Sequence, residues 1–180
     1  MKTISLQTAS ILALICSTIL PVSAAETPAP PKVGDKAPLI EGKDQDGKTW
    51  KLADEIGKKV VLLYFYPKDE TPGCTKEACG FRDRIADLEK DNVQVIGVSF
   101  DSEQSHQEFI AHYNLNFPLL ADTDGKIADA YGVRMPSRSM ARRVSFLIGL
   151  DGKIVHVTDS PKAEVQLQET TAAVAKLTKK

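Results

Sequence analysis

Unbroken apolar runs alternate along the chain with segments whose apolar residues recur at helical spacing. Residues 60–66, Val-Val-Leu-Leu-Tyr-Phe-Tyr, show no polar alternation, and Pro67 closes the run. This predicts a central strand buried on both faces. Residues 93–99 predict a second buried strand and 143–150 a third. Asp151-Gly152 then turns the chain into a fourth, over 153–158. Upstream, Asp46-Gly47 beside Thr49-Trp50 marks a hairpin turn within 43–52. The segments between, 72–90, 103–112, 126–131 and 162–177, predict helices. Strand–helix–strand–helix followed by a hairpin and a last helix gives an α/β sandwich with a mixed sheet.

The amino-terminal pattern is of a different kind. Lys2 is the only early charge, and a mostly apolar run covers residues 11–20. Pro21-Val22-Ser23-Ala24 follows, with small residues where a signal peptidase would cut. This is the layout of a secretory signal peptide, cleaved after Ala24 or Ala25. A membrane span needs roughly 20 apolar residues, and this run is shorter and contains Cys16, Ser17 and Thr18. Ile15 is too bulky for a lipoprotein signal at Cys16. Residues 25–32, rich in proline, read as an extended linker. The expected organisation is therefore a signal peptide at 1–24, a linker at 25–32 and one domain at 33–180. The mature protein is expected in the periplasm, without a membrane anchor.

Composition adds exclusions. The 180 residues suit one domain. The net charge is 23 − 24 = −1, so no basic field points to nucleic acid. Removing the signal takes Lys2 and leaves 22 − 24 = −2. It also takes Cys16, leaving Cys74 and Cys79 as two thiols in an oxidising compartment. His106 and His112 lie about 240° apart on a helix and share no face. Asp122, Asp124 and Gly125 lack the remaining ligands of a calcium loop. No metal or cofactor is expected.

The chemistry gathers in residues 64–79. Thr71 suits a helix N-cap and Pro72 the first helical position. Cys74 then falls in the first turn, where free N–H groups and the positive end of the helix dipole favour a thiolate. Cys74, Ala78, Phe81, Ile85 and Leu88 recur at steps of four and three and form one apolar stripe. Cys79 lies about 140° around the wheel from Cys74, toward solvent or a neighbouring loop. Five residues along a helix separate the two Cα atoms by ~8.6 Å, beyond the 4.4–6.8 Å or so that a disulfide spans. A bond between them requires the first turns to unwind. An inert core cysteine, or a plain structural disulfide, is the competing reading of these residues.

The run Pro67-x-x-x-Thr71-x-x-Cys74 resembles the active-site motif of peroxiredoxins. Residues 64–83 resemble the bacterioferritin-comigratory, or PrxQ, subfamily, whose second cysteine also follows five residues after the first. The resemblance continues through Phe117-Pro118-Leu119-Leu120-Ala121-Asp122, Tyr131-Gly132-Val133 and residues 143–148. It implies a thioredoxin-like fold and a thiol peroxidase acting on hydrogen peroxide or organic hydroperoxides. It implies Cys74 as the peroxidatic cysteine and Cys79 as the resolving one, joined as an intramolecular disulfide. By the same resemblance Thr71 bonds thiolate and peroxide, Pro67 shields the sulfur, Arg143 stabilises the developing charge and Glu77 orients Arg143. Strand alternation sets Arg142 and Arg143 on opposite faces, and the family's spacing to the following Ser145 selects Arg143. A thioredoxin-like or other dithiol reductant and a monomeric state are also implied. Residues 134–141 depart from the family pattern, at what would be the mouth of its active site. A thiol–disulfide oxidoreductase is the alternative, but it calls for Cys-x-x-Cys. A non-catalytic exported protein with a structural disulfide has no need of Thr71 and Arg143 together.

Overall fold

The computed structural model describes residues 28–178. The expected signal peptide and residues 25–27 of the expected linker lie outside them. At the centre is β3 (Val60–Phe65), with all six residues buried. It pairs in parallel with β4 (Val93–Ser99) and antiparallel with β6 (Val144–Ile148). Two flanking strands, β5 (Leu119–Ala121) beside β4 and β7 (Ile154–Asp159) beside β6, complete the order β5-β4-β3-β6-β7. The sheet is mixed, as the element order predicts. A separate hairpin, β1 (Glu41–Lys43) and β2 (Thr49–Lys51), forms around Asp44, whose carboxylate accepts from the amides of Asp46 and Lys48. The three-residue β5 and the one-turn α1 (Leu52–Glu55) were not anticipated, since both are too short to carry a periodic signal.

Period-two geometry divides the core in two. Val61, Leu63 and Phe65 join Ile96, Val98, Phe146 and Ile148 on one face, covered by Ile127 and Ala128 of α5 (Lys126–Ala130). Leu62, Tyr64, Val93, Val95 and Leu147 line the other face. They are covered by α2 (Pro72–Arg82), α4 (Glu103–Tyr113) and α6 (Ala163–Thr178), which bring Phe81, Phe109 and Val174. The helical stripe is as expected: Cys74, Ala78, Phe81, Ile85 and Leu88 are all buried in this second cluster.

The helix expected over 72–90 is in fact two, α2 and α3 (Ile85–Lys90). The amide of Arg84 turns to the carbonyl of Phe81, tightening the last turn, while the Arg84 guanidinium donates to Gly80 O at 2.8 Å. That side-chain bond takes the place of the i→i−4 backbone bond and lets the ladder break without losing an acceptor. The apolar stripe passes through the break undisturbed, so periodicity alone does not reveal it.

Candidate active site

The residues around Cys74 come from four places. The end of β3 delivers Pro67, the following loop delivers Thr71, the first turns of α2 deliver Cys74 and Glu77, and the entry to β6 delivers Arg143. Cys74 is 1% exposed. The Arg143 Nη2 donates to its Sγ at 3.1 Å, and Nη1 pairs with Glu77 Oε2. One guanidinium thus bridges thiol and carboxylate.

Strand parity explains why it is Arg143. Residues 143, 145 and 147 project to the face covered by α2 and α6, and Arg142 projects to the opposite side, where Nη1 pairs with Asp159 at 2.5 Å. Two further features hold Arg143. Gln166 of α6, fully buried, donates to the backbone carbonyl of Arg143 at 3.0 Å and accepts from Ser145 Oγ at 2.7 Å. Gly73 leaves room for the guanidinium: a Cβ there would sit 3.3 Å from Nη2. Sequence reading missed Gln166, because a polar residue in an amphipathic helix looks like a solvated one.

Thr71 caps α2 through its backbone, accepting from the amide of Thr75 at 2.8 Å. Its hydroxyl makes no cap bond and donates instead to Lys68 O at 3.0 Å. That proton is therefore committed to Lys68 O, and the oxygen's lone pairs remain able to accept. Pro67 is half-buried at the end of β3. Cys79 is half-buried on the same continuous helix, and both thiols are free. The 134–141 segment is a small hairpin closed by a bridge between Arg134 and Ala141 and by Met135 N to Met140 O at 2.9 Å. Arg134 pairs with Asp129 at its base and lies over the Phe100 ring.

Glu77 is fully buried, and its second oxygen, Oε1, has no hydrogen-bond partner. Burial pushes its carboxyl up to about 7, against the opposing pull of Arg143. The folded protein thus holds this proton more tightly than the unfolded chain does. Its contribution to stability is full below about 4.5 and is lost as pH rises through about 7. Asp122, pushed up to about 6 mainly by burial, acts in an overlapping window. A comparison with Glu77→Gln isolates the first group. Between pH 5 and 8 the melting temperature of the variant should fall less than that of the parent. Parallel curves would mean that Glu77 ionises normally in its buried place.

A thioredoxin-like α/β sheet with a buried cysteine in the first turn of a helix, bridged by arginine to a buried carboxylate, defines a protein of the peroxiredoxin fold. The AhpC/TSA family pattern matches residues 33–157. The peroxiredoxin Bcp of Escherichia coli (strain K12) is 44% identical over 139 residues, 74% of this chain and 88% of that one. The crystal structure of peroxidoxin BcpB from Mycobacterium tuberculosis matches with a TM-score of 0.75 at 31% identity, covering 81% of this chain and 97% of that one. A bacterioferritin comigratory protein of Xanthomonas campestris, whose structures address its alkyl peroxide reduction activity, matches with a TM-score of 0.71 at 28% identity, covering 77% of this chain and 92% of that one. The chain belongs to the AhpC/TSA family and, within it, to the peroxiredoxins of the bacterioferritin-comigratory or PrxQ type, which are thiol-dependent peroxidases.

Proposed function

We propose that this peroxidase reduces hydrogen peroxide and organic hydroperoxides through Cys74, with Cys79 resolving the oxidised sulfur. The observation that carries the reading is the Arg143 guanidinium donating to Cys74 Sγ at the start of α2. A thiolate there is stabilised by a fixed cation and by the free amides of the first turn. It attacks the distal peroxide oxygen: an S–O bond forms, the O–O bond breaks, and the leaving oxygen departs as water or alcohol after taking a proton. Arg143 is placed to stabilise charge developing on that oxygen, and Glu77 fixes the guanidinium. Thr71, its own proton committed to Lys68, accepts a hydrogen bond from the peroxide hydroxyl. Pro67 keeps water from the sulfur. The Cys74 sulfenic acid then condenses with Cys79, releasing water. A dithiol reductant of thioredoxin type returns both thiols. The reading carries no cofactor.

Resolution demands movement. On a regular helix the two Cα atoms stand ~8.6 Å apart, and a disulfide spans about 4.4–6.8 Å. Residues 72–81 must therefore open once the bond forms. The expected result is faster amide exchange across that segment in the oxidised protein than in the reduced one. Cys79→Ser should keep the first reaction with peroxide but lose the intramolecular disulfide and over-oxidise more readily at Cys74. Exchange followed by mass spectrometry, with a free-thiol count after one equivalent of peroxide, checks both. A confirmed Cys74–Cys79 bond with unchanged protection would show that no opening takes place.

The proposal extends to compartment and assembly. The layout of residues 1–24 supports export to the periplasm, and the resemblance to the PrxQ subfamily supports a monomer. Sequencing the native protein should find a mature amino terminus at or near Ala25, and an intact Met1 would reject export.

A further inference from the structure

A second polar cluster is built on the loop that leads into α2, and the reaction as described makes no use of it. At its centre is Asp69, in the loop between β3 and α2, only 3% exposed. Its Oδ1 accepts from Tyr66 Oη at 2.7 Å. Its Oδ2 accepts from Ser105 Oγ at 2.7 Å and faces His106 Nδ1 at 2.8 Å. His106 has no exposure, and its Nε2 faces the carbonyl of Leu120 at 3.2 Å. Both ring nitrogens thus face oxygen atoms of the protein. The Asp69 amide donates to Asp101 Oδ2 at 2.9 Å, which also receives Ser99 Oγ at 2.7 Å. One loop residue is tied to Tyr66 just after β3, to the loop after β4, and to α4. Burial alone would raise the Asp69 carboxyl, but the bond and charge of His106, with the Tyr66 and Ser105 bonds, hold it below the usual carboxylate range.

We propose that Asp69 is a positioning residue for the peroxide step, its buried carboxylate locking residues 67–71 onto α4 and so fixing the Thr71 hydroxyl at the start of α2. This rests on the peroxidase reading above. The lever is short. The Thr71 hydroxyl is aimed by its bond to Lys68 O, and Lys68 immediately precedes Asp69. On the other side, Glu70 takes a left-handed conformation at φ 60°, uncommon for a residue with a side chain. Its carboxylate meets His112 Nδ1 of α4 at 3.2 Å. A loop bent in this way holds its shape only while its neighbours hold it. If it slackens, Thr71 leaves the peroxide's path. Cys74 stays, because Arg143 and the second core cluster also hold it.

That separation gives the test. In single-turnover experiments the reduced protein is mixed with hydrogen peroxide and, separately, with iodoacetamide. Mass spectrometry of the Cys74 peptide follows both reactions. Asp69→Asn keeps the shape but not the charge. It should slow the peroxide reaction roughly 10- to 100-fold, the scale of loss from a small misplacement of a reacting group. Alkylation of Cys74 should stay at the parent rate. Ser105→Ala, which removes one donor and leaves the His106 contact to Asp69, should shift the peroxide rate in the same direction by less. A folded Asp69→Asn with an unchanged peroxide rate overturns the proposal, as does a fall of both reactions together. If Asp69→Asn fails to fold, Ser105→Ala decides on the same two rates. A parent protein that alkylates at Cys74 yet ignores peroxide overturns the peroxidase reading instead, and the proposal with it.

Discussion

Replacing Cys74 by serine should bring peroxide consumption down to the uncatalysed background, with dithiothreitol as the reductant in the assay. Two properties are lost in the exchange of one atom. A serine hydroxyl is not ionised near neutral pH, so no anion stands before Arg143. More fundamentally, sulfur gives up two electrons to the peroxide and becomes a sulfenic acid, a step on its oxidation ladder that an alcohol oxygen does not have. No neighbour can substitute: Cys79 lies five residues on, around the helix, away from the guanidinium that contacts Cys74. The fold should survive, since Cys74 is a small group at the rim of the second core cluster and serine is of similar size. A melting curve near that of the parent, with no peroxide turnover, is the expected pair of results. Turnover close to the parent rate in the serine variant would reject the mechanism outright.

The two adjacent arginines should part company just as sharply. Arg143→Ala removes the donor on Cys74 Sγ and leaves Glu77 buried without its partner. Loss of one fixed donor at a developing negative charge costs about 100- to 1,000-fold in rate, and the second-order reaction with peroxide should fall by that order. Arg142→Ala removes a pair with Asp159 in which both side chains are substantially exposed. Such pairs contribute about 0–1 kcal/mol to stability, so its peroxide rate should stay within a few-fold of the parent. The two variants share a position in sequence and differ in the face of the strand they occupy. Stopped-flow measurement of the first turnover checks the contrast, and equal losses would mean that the guanidinium on the sulfur has no part in the chemistry.

Much of this was legible from the pattern of residues. The central run at 60–66, closed by Pro67, reads as a buried strand, and the spacing of Cys74, Ala78, Phe81, Ile85 and Leu88 alone sets the reactive thiol against the core. Strand alternation separates Arg143 from Arg142, and it was the resemblance's spacing to Ser145 that singled out Arg143. What stayed hidden is long-range. Gln166 reaches Arg143 from 23 positions away, and His106 reaches Asp69 from 37. Local sequence carries no trace of such partners, and a buried histidine on α4 has the same neighbours in sequence as a solvated one. The break at 83–84 was hidden for a different reason: a backbone ladder can change register while side-chain periodicity runs on. Thr71 was identified correctly as the residue opening α2, but the direction of its hydroxyl bond depends on the shape of the preceding loop.

That break sets the scale of any opening. Left whole, residues 72–90 would form a helix long enough to sustain itself in part by its own cooperativity. Ended at Arg82, α2 has eleven residues, below the ~12–15 at which isolated helices become even marginal in water. It persists because Ala78, Phe81 and Cys74 are packed, and burying a side chain the size of phenylalanine gives about 1.5–3 kcal/mol. Its order is thus on loan from the sheet beneath it. Freed of those contacts at one end, α2 has little reason of its own to stay wound, whereas α3, with Ile85 and Leu88 separately seated, has no need to follow. The interruption acts as a firebreak: a rearrangement begun at Cys74 can be large where the sulfurs must meet and still leave the remainder of the core as it was.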